Sequence, residues 1–162
     1  RLDAAIEKLQ SDIETLLNPF KPGLWMSCWS GDSGSKFKNK HLARAESKIC
    51  HSWGGGSPDK SVPADNFGVL WAGILRVEQE GKYKFLIKAD DWLGLTVDGK
   101  SVKHDTEVTL TKGDKEIKIV YTESNGNANV SIRWKPENGT EQELPASALF
   151  HDPKLIAKYE VK

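Results

Sequence analysis

The sequence predicts a mostly β domain of many short antiparallel strands, preceded by one N-terminal amphipathic α-helix. Three observations predict it. Apolar residues alternate at period 2 through Phe67 to Val77, Tyr83 to Ala89, Ile117 to Tyr121 and Ala128 to Trp134, the signature of half-buried strands. Turn signals such as Glu80-Gly81, Asp98-Gly99 and Lys112-Gly113-Asp114 separate these segments. Helical spacing of apolar residues is clear only at the N-terminus.

Composition narrows the function classes. The 162 residues suit one domain with a small appendage. Lys plus Arg equals Asp plus Glu at 23 each, so no global field draws the chain to nucleic acid or to an anionic membrane. Apolar residues make up 38%, with 14 Gly and six Trp. That composition is low in aliphatic core and rich in turns and indoles. No run of about 18 apolar residues exists to span a bilayer. Arg1 does not resemble a natural start, and a signal peptide, a membrane helix or neighbouring domains are expected before it.

In chain order, Leu2, Ile6, Leu9, Ile13, Leu16 and Phe20 recur at steps of 4, 3, 4, 3 and 4. This seven-residue repeat predicts an amphipathic helix over residues 1–20, able to serve a coiled coil, and Asn18-Pro19 and Lys21-Pro22 end it. A helix of about 16 residues is marginal alone in water. Its stripe is therefore expected to pack on the β domain, with a stalk, self-association or a tether as the rival. Leu24 to Trp29 reads as a strand, Ser30 to Lys40 as a polar loop, and His41 to Lys48 as a short helix or a loop. Ser52-Trp53-Gly54-Gly55-Gly56-Ser57-Pro58 lacks the Lys-Ser/Thr of a phosphate-cradling loop and reads as a tight bend. Pro136 to Leu144 reads as an exposed turn carrying the sequon Asn138-Gly139-Thr140. Leu144 to Phe150 closes the domain, and the tail to Lys162 has no clear pattern.

Cys28 and Cys50 leave two readings open. They could form an extracellular disulfide closing a loop of about 20 residues, worth roughly 3 kcal/mol, or remain two buried thiols. A zinc site has no support, because His41, His51, His104 and His151 are scattered and no metal-type Cys spacing is present.

The strand ending in Asp90-Asp91 carries the main candidate site. Successive strand residues face opposite ways, so in a regular trans backbone these carboxylates diverge. A bend or a cis peptide would turn both to one side. Two acids so gathered repel, and a divalent cation relieves them. Calcium, which takes several oxygen ligands of mixed type, suits them better than zinc. Without such a bend they are a strand end with two solvated acids. Asp98, in the hairpin signal Asp98-Gly99, is a turn residue, because both central positions of that turn need φ > 0.

A series of landmarks then adds weight. They are Gly23-Leu24, Trp53-Gly54 with Ser57-Pro58, Pro63-Ala64-Asp65-Asn66-Phe67, Trp71-Ala72-Gly73, Glu80-Gly81-Lys82-Tyr83 with Phe85, and Asp90-Asp91. Leu95-Thr96-Val97-Asp98-Gly99-Lys100, then Tyr121, Glu123, Gly126, Ala128, Trp134 and Leu144 to Phe150 complete them. Over residues 23–150 the chain resembles the PA14 domain family, the β-sandwich module of anthrax protective antigen and of flocculin-type adhesins. The resemblance implies an antiparallel β-sandwich flanked by the helix (1–20) and a tail (151–162).

It also implies a lectin-like, non-catalytic function in which Ca2+ coordinates vicinal hydroxyls of a glycan, in an extracellular or cell-surface setting. Asp90, Asp91 and Asn125 are the metal ligands it suggests, and Trp92, Asn127 and Glu123 the ligand contacts. Where many family members have Gly after the acid pair, this chain has Trp92, either a stacking platform or a lid. The rival is a structural or protein-interaction domain with no sugar ligand. A glycosidase has little support, since hydrolases hold two carboxyls about 5 Å or more apart across the scissile bond.

Overall fold

The computed structural model describes residues 1–17, 19–31 and 38–160, without the Thr15 side chain. Asn18 of the predicted helix stop, residues 32–37 of the predicted Ser30 to Lys40 loop, and the last two residues of the tail lie outside the described residues. The helix α1 (Leu2–Leu17) is followed by β1 (Lys21–Pro22), β2 (Leu24–Ser30), β3 (Asn39–Glu46), β4 (Cys50–Gly54), β5 (Phe67–Val77), β6 (Gly81–Asp90) and β7 (Trp92–Val97). Then come β8 (Lys100–Val102), β9 (Glu107–Leu110), β10 (Gly113–Glu123), β11 (Ala128–Pro136), β12 (Gln142–Glu143) and β13 (Leu149–His151), with the short α2 (Ile156–Tyr159) near the end.

The strands form two antiparallel sheets. In the larger, the order is β1-β13-β5-β10-β7-β8, with β2 also on β5 and β3 on β2. The smaller runs β12-β11-β6-β9, with β4 on β11. Period-2 patterning explains the core between them. Trp71 and Leu75 of β5, Ile117, Ile119 and Tyr121 of β10 and Leu95 of β7 meet Phe85 of β6 and Val130, Ile132 and Trp134 of β11 in one buried cluster. Trp134 packs against Tyr83 and Phe85 at ring distances of 4.8 and 6.1 Å. The Asp98-Gly99 hairpin joins β7 to β8 with φ of 49° and 75°, and the Asp98 carboxylate accepts from the Glu116 amide at 2.8 Å.

Four expectations are corrected. His41 to Lys48 is neither helix nor loop, because Asn39–Glu46 pairs along β2 as an edge strand. The bend at Trp53-Gly54 is present, with Gly54 at φ 58°, but Cys50–Gly54 leading into it is a strand on β11. Cys28 and Cys50 are free thiols, not a disulfide. They sit on strands of opposite sheets, Cys28 Sγ beside Met26 Sδ at 3.3 Å and Cys50 Sγ beside Ser131 Oγ at 3.5 Å.

The fourth correction concerns α1, whose stripe does not pack on the β domain. Leu2, Ile6, Leu9, Ile13, Leu16 and Leu17 stay 45–78% exposed. Phe20, the last member of the repeat, departs from the helix and lines a groove with Ile74, Leu155 and Tyr159. The C-terminal segment also borders that groove and is clasped in place: Glu160 accepts from the Trp25 indole at 3.0 Å and from Lys40 at 2.7 Å.

Candidate functional site

The acid pair lies where the chain changes sheet. Asp90 ends β6 opposite Asn129 of β11 in the smaller sheet, while Trp92 opens β7 opposite Thr122 of β10 in the larger. The segment Ser124 to Asn127 makes the reverse passage, from β10 to β11. Two crossings of the sandwich therefore lie side by side. The Asp90-Asp91 peptide is cis.

Hydrogen bonds join the two crossings. The Ser124 amide donates to Asp91 Oδ2 at 2.8 Å. The Tyr121 hydroxyl reaches the Asp90 carbonyl oxygen and also Glu123 Oε2, the latter at 2.7 Å. Tyr121 and Glu123 can share this work because alternate residues of a strand point to one face. A third segment is tied in through the Asn66 amide, which donates to the Ser124 carbonyl at 3.0 Å. Behind Tyr121 stand Trp53 and Phe67, at ring distances of 5.9 and 6.1 Å.

Charge is concentrated here. Glu123 is only 2% exposed, and its Oε1 has no hydrogen-bond partner. Burial pushes the Glu123 carboxyl above its ordinary range; the Tyr121 hydrogen bond opposes that rise, and the charges of Asp91, Asp90 and Asp65 add to it. Burial likewise raises the Tyr121 hydroxyl, which the neighbouring carboxylates reinforce. Among the described residues no ion pair involves Asp65, Asp90, Asp91 or Glu123. A cluster of hard anionic oxygens without a cationic side chain is the chemistry that a hard divalent cation relieves. No three His, Cys, Asp or Glu side chains among the described residues form a metal-holding group. An ion here would thus complete its shell from amide and carbonyl oxygens.

The predicted site residues divide accordingly. Asp90, Asp91 and Glu123 come together, with Glu123 turned inward rather than toward solvent. Asn125 and Asn127 are exposed on the adjoining crossing. Trp92 is 56% exposed, and its ring lies over Gly94, where an added Cβ would come within 2.7 Å of the indole Cη2. Sequence reasoning gave no site role to Tyr121 or Asp65. Both stood among the landmarks, and that was the signal available for them.

Comparison with known proteins gives the fold its relatives. The chain is 26% identical over 125 residues to Anti-sigma-I factor RsgI3 of Acetivibrio thermocellus, a match covering 70% of this chain and 19% of that protein. An anti-sigma factor domain-containing protein from Clostridium clariflavum superposes with a TM-score of 0.71 at 24% identity, over 80% of this chain and 47% of that one. The PA14 sugar-binding domain from an RTX adhesin superposes with a TM-score of 0.63 at 18% identity, over 80% of this chain and 98% of that one. These two structural likenesses bear on the fold alone. The chain spans about a fifth of RsgI3 and under half of the Clostridium clariflavum protein. The model of the PA14 domain family matches residues 21–148, and with its two antiparallel sheets and paired crossings the chain belongs to the PA14 domain family.

Proposed function

We propose that this chain is a Ca2+-dependent carbohydrate-binding module that acts by recognition, without covalent chemistry. The observation that carries this reading is the meeting of two sheet crossings, which brings Asp90 and Asp91 within electrostatic reach of the buried Glu123, with no ion pair to balance them among the described residues. Asp90 and Asp91 would hold the ion, with Asn125 and backbone carbonyls of the 123–127 segment completing it. A bound calcium ion supplies open coordination positions that two vicinal hydroxyls of a sugar can take. Trp92, exposed beside the pair, offers an indole face to the apolar side of a pyranose, and Asn127 an amide for a neighbouring hydroxyl. Glu123 serves as buried counter-charge instead of touching sugar. The sugar-binding adhesin domain of the same fold supports this reading, and with it an extracellular or cell-surface setting.

The relatives described as anti-sigma factors favour a second reading. In it this domain is one segment of a longer regulatory protein, and any ligand it takes is a signal or a protein partner. Calorimetric titration with Ca2+, then a glycan array with and without chelator, separates the two. The first reading expects calcium uptake that Asp90→Asn abolishes, together with chelator-sensitive glycan binding. Glycan binding indifferent to chelator, or no calcium uptake at all, overturns it.

A further inference from the structure

Most of the large exposed apolar side chains among the described residues belong to one helix. Leu155 and Trp92 aside, they are Leu2, Ile6, Leu9, Ile13, Leu16 and Leu17 of α1. Written as heptads, Ile6 and Ile13 occupy every a position of the helix, and Leu2, Leu9 and Leu16 every d position. Ile at a with Leu at d is the combination whose knobs fit the holes of a parallel two-stranded coiled coil. No polar residue interrupts the seam.

We propose that α1 pairs in parallel with α1 of a second copy of this chain. The flanks are compatible with that partner. A parallel pair sets each g residue near the next e residue across the seam, here Ala5 by Gln10 and Asp12 by Leu17, so no like charges face each other. Leu17 at e widens the apolar strip at its end. Lys8 and Asp12 form their ion pair within one helix at 2.7 Å. A lipid surface is the poorer occupant. The helix carries four acids, Asp3, Glu7, Asp12 and Glu14, against the single base Lys8, whereas interfacial helices carry Lys and Arg on their polar face.

Sixteen residues give a helix about 24 Å long, so the pairing is weak and reversible. A parallel pair has its two-fold axis along the helices, so both β-sandwiches project from the same end. If the sites bind glycan as proposed above, the pair presents two of them toward one surface and gains avidity from their effective concentration. The pairing itself does not depend on that reading.

Sedimentation of the full chain from about 5 to about 200 µM tests it. The weight-average mass rises toward twice the monomer, and the doubly substituted Ile6→Asp, Ile13→Asp chain stays monomeric with an unchanged thermal transition and unchanged calcium uptake. Under mild oxidation, Leu9→Cys forms a covalent dimer at least about tenfold faster than Ser11→Cys on the outer face, as knobs-into-holes seating requires; the native chain with Cys28 and Cys50 is the blank. A chain that stays monomeric throughout the range overturns the proposal. So does equal cross-linking at both positions, or a monomer that sediments with phosphatidylserine vesicles through α1.

Discussion

Among the described residues, Trp92 is set apart from the other large aromatic side chains by its exposure. Trp71 and Tyr121 are sealed in the core, whereas the Trp92 indole rests on Gly94 with more than half of its surface in solvent. Removing it therefore leaves little to collapse. Trp92→Ala is expected to change unfolding free energy by no more than about 0.5 kcal/mol and to leave calcium uptake unaltered. Glycan affinity falls about tenfold or more, since a lost stacking face costs on the order of 1 kcal/mol or above. Calorimetry with Ca2+ and then with a binding glycan reads both. Equal loss of calcium and glycan binding would make Trp92 a structural support instead.

At the same scale, Glu46 is a carboxylate with a different task. It accepts from the Trp71 indole at 2.9 Å and from Arg44 at 3.1 Å, and His51 Nε2 lies 3.2 Å away. Burial alone would raise the Glu46 carboxyl, but the adjacent His51 ring and the hydrogen bonds from Trp71 and Arg44 outweigh it and hold the group below its ordinary 4.5. The folded chain thus binds this proton less tightly than the unfolded one. The stability it contributes is complete above pH 4.5 and is lost as pH falls through the lowered value. Glu46→Gln should cost about 1.5–3 kcal/mol at pH 7, the worth of charge-assisted hydrogen bonds, with the gap to the native chain closing in acid. Urea unfolding across pH measures it, and a gap that persists in acid would refute the linkage.

Among the elements, β5 is the most heavily used, pairing with β10 along its length, with β2 over its first half and with β13 at Ile74 and Leu75. Gly73 sits where β13 comes closest, and a Cβ there would run into the Phe150 carbonyl oxygen. Gly73→Ala should destabilise by about 1–3 kcal/mol, the usual cost of overpacking, and weaken amide protection at Leu149 and Phe150; hydrogen exchange with mass spectrometry reads the second effect.

The long strands β6, β10 and β11 were legible because each buries one face, which writes alternation into the sequence; β5, buried on both faces from Phe67 to Gly73, was legible as a long apolar run bounded by turns. β3 was not. It is an edge strand largely exposed on both faces, so its residues carry no period-2 signal, and only pairing with β2 makes it a strand. The cysteines were undecidable for a related reason. Spacing along the chain does not say which sheet a residue joins, and the two thiols join different ones.

For the whole molecule, the proposed ion acts as a clasp. Asp91 and Asn125 belong to the two crossings between the sheets, so a cation held by both ties the layers together and binds only the folded chain. At a free Ca2+ concentration a hundred times Kd, mass action adds about 2.7 kcal/mol of stability. In a domain of this size that raises Tm by roughly 5–10 °C, and thermal scans in Ca2+ and in chelator report it. A transition temperature insensitive to Ca2+ would leave the acid cluster without the proposed occupant.

The sequence by itself determined the amphipathic helix, the four main strands, the Asp98-Gly99 hairpin and the acid pair, since each is written in residues adjacent or a few positions apart. The tertiary structure decided which side chains meet that pair, where the helix's apolar stripe is left, and that the cysteines stay apart. Those outcomes depend on how two sheets are stacked and crossed, which brings Asp65, Asp91 and Tyr121 together across some 30 residues of chain at a time, and no local pattern of apolar and polar residues encodes such distances.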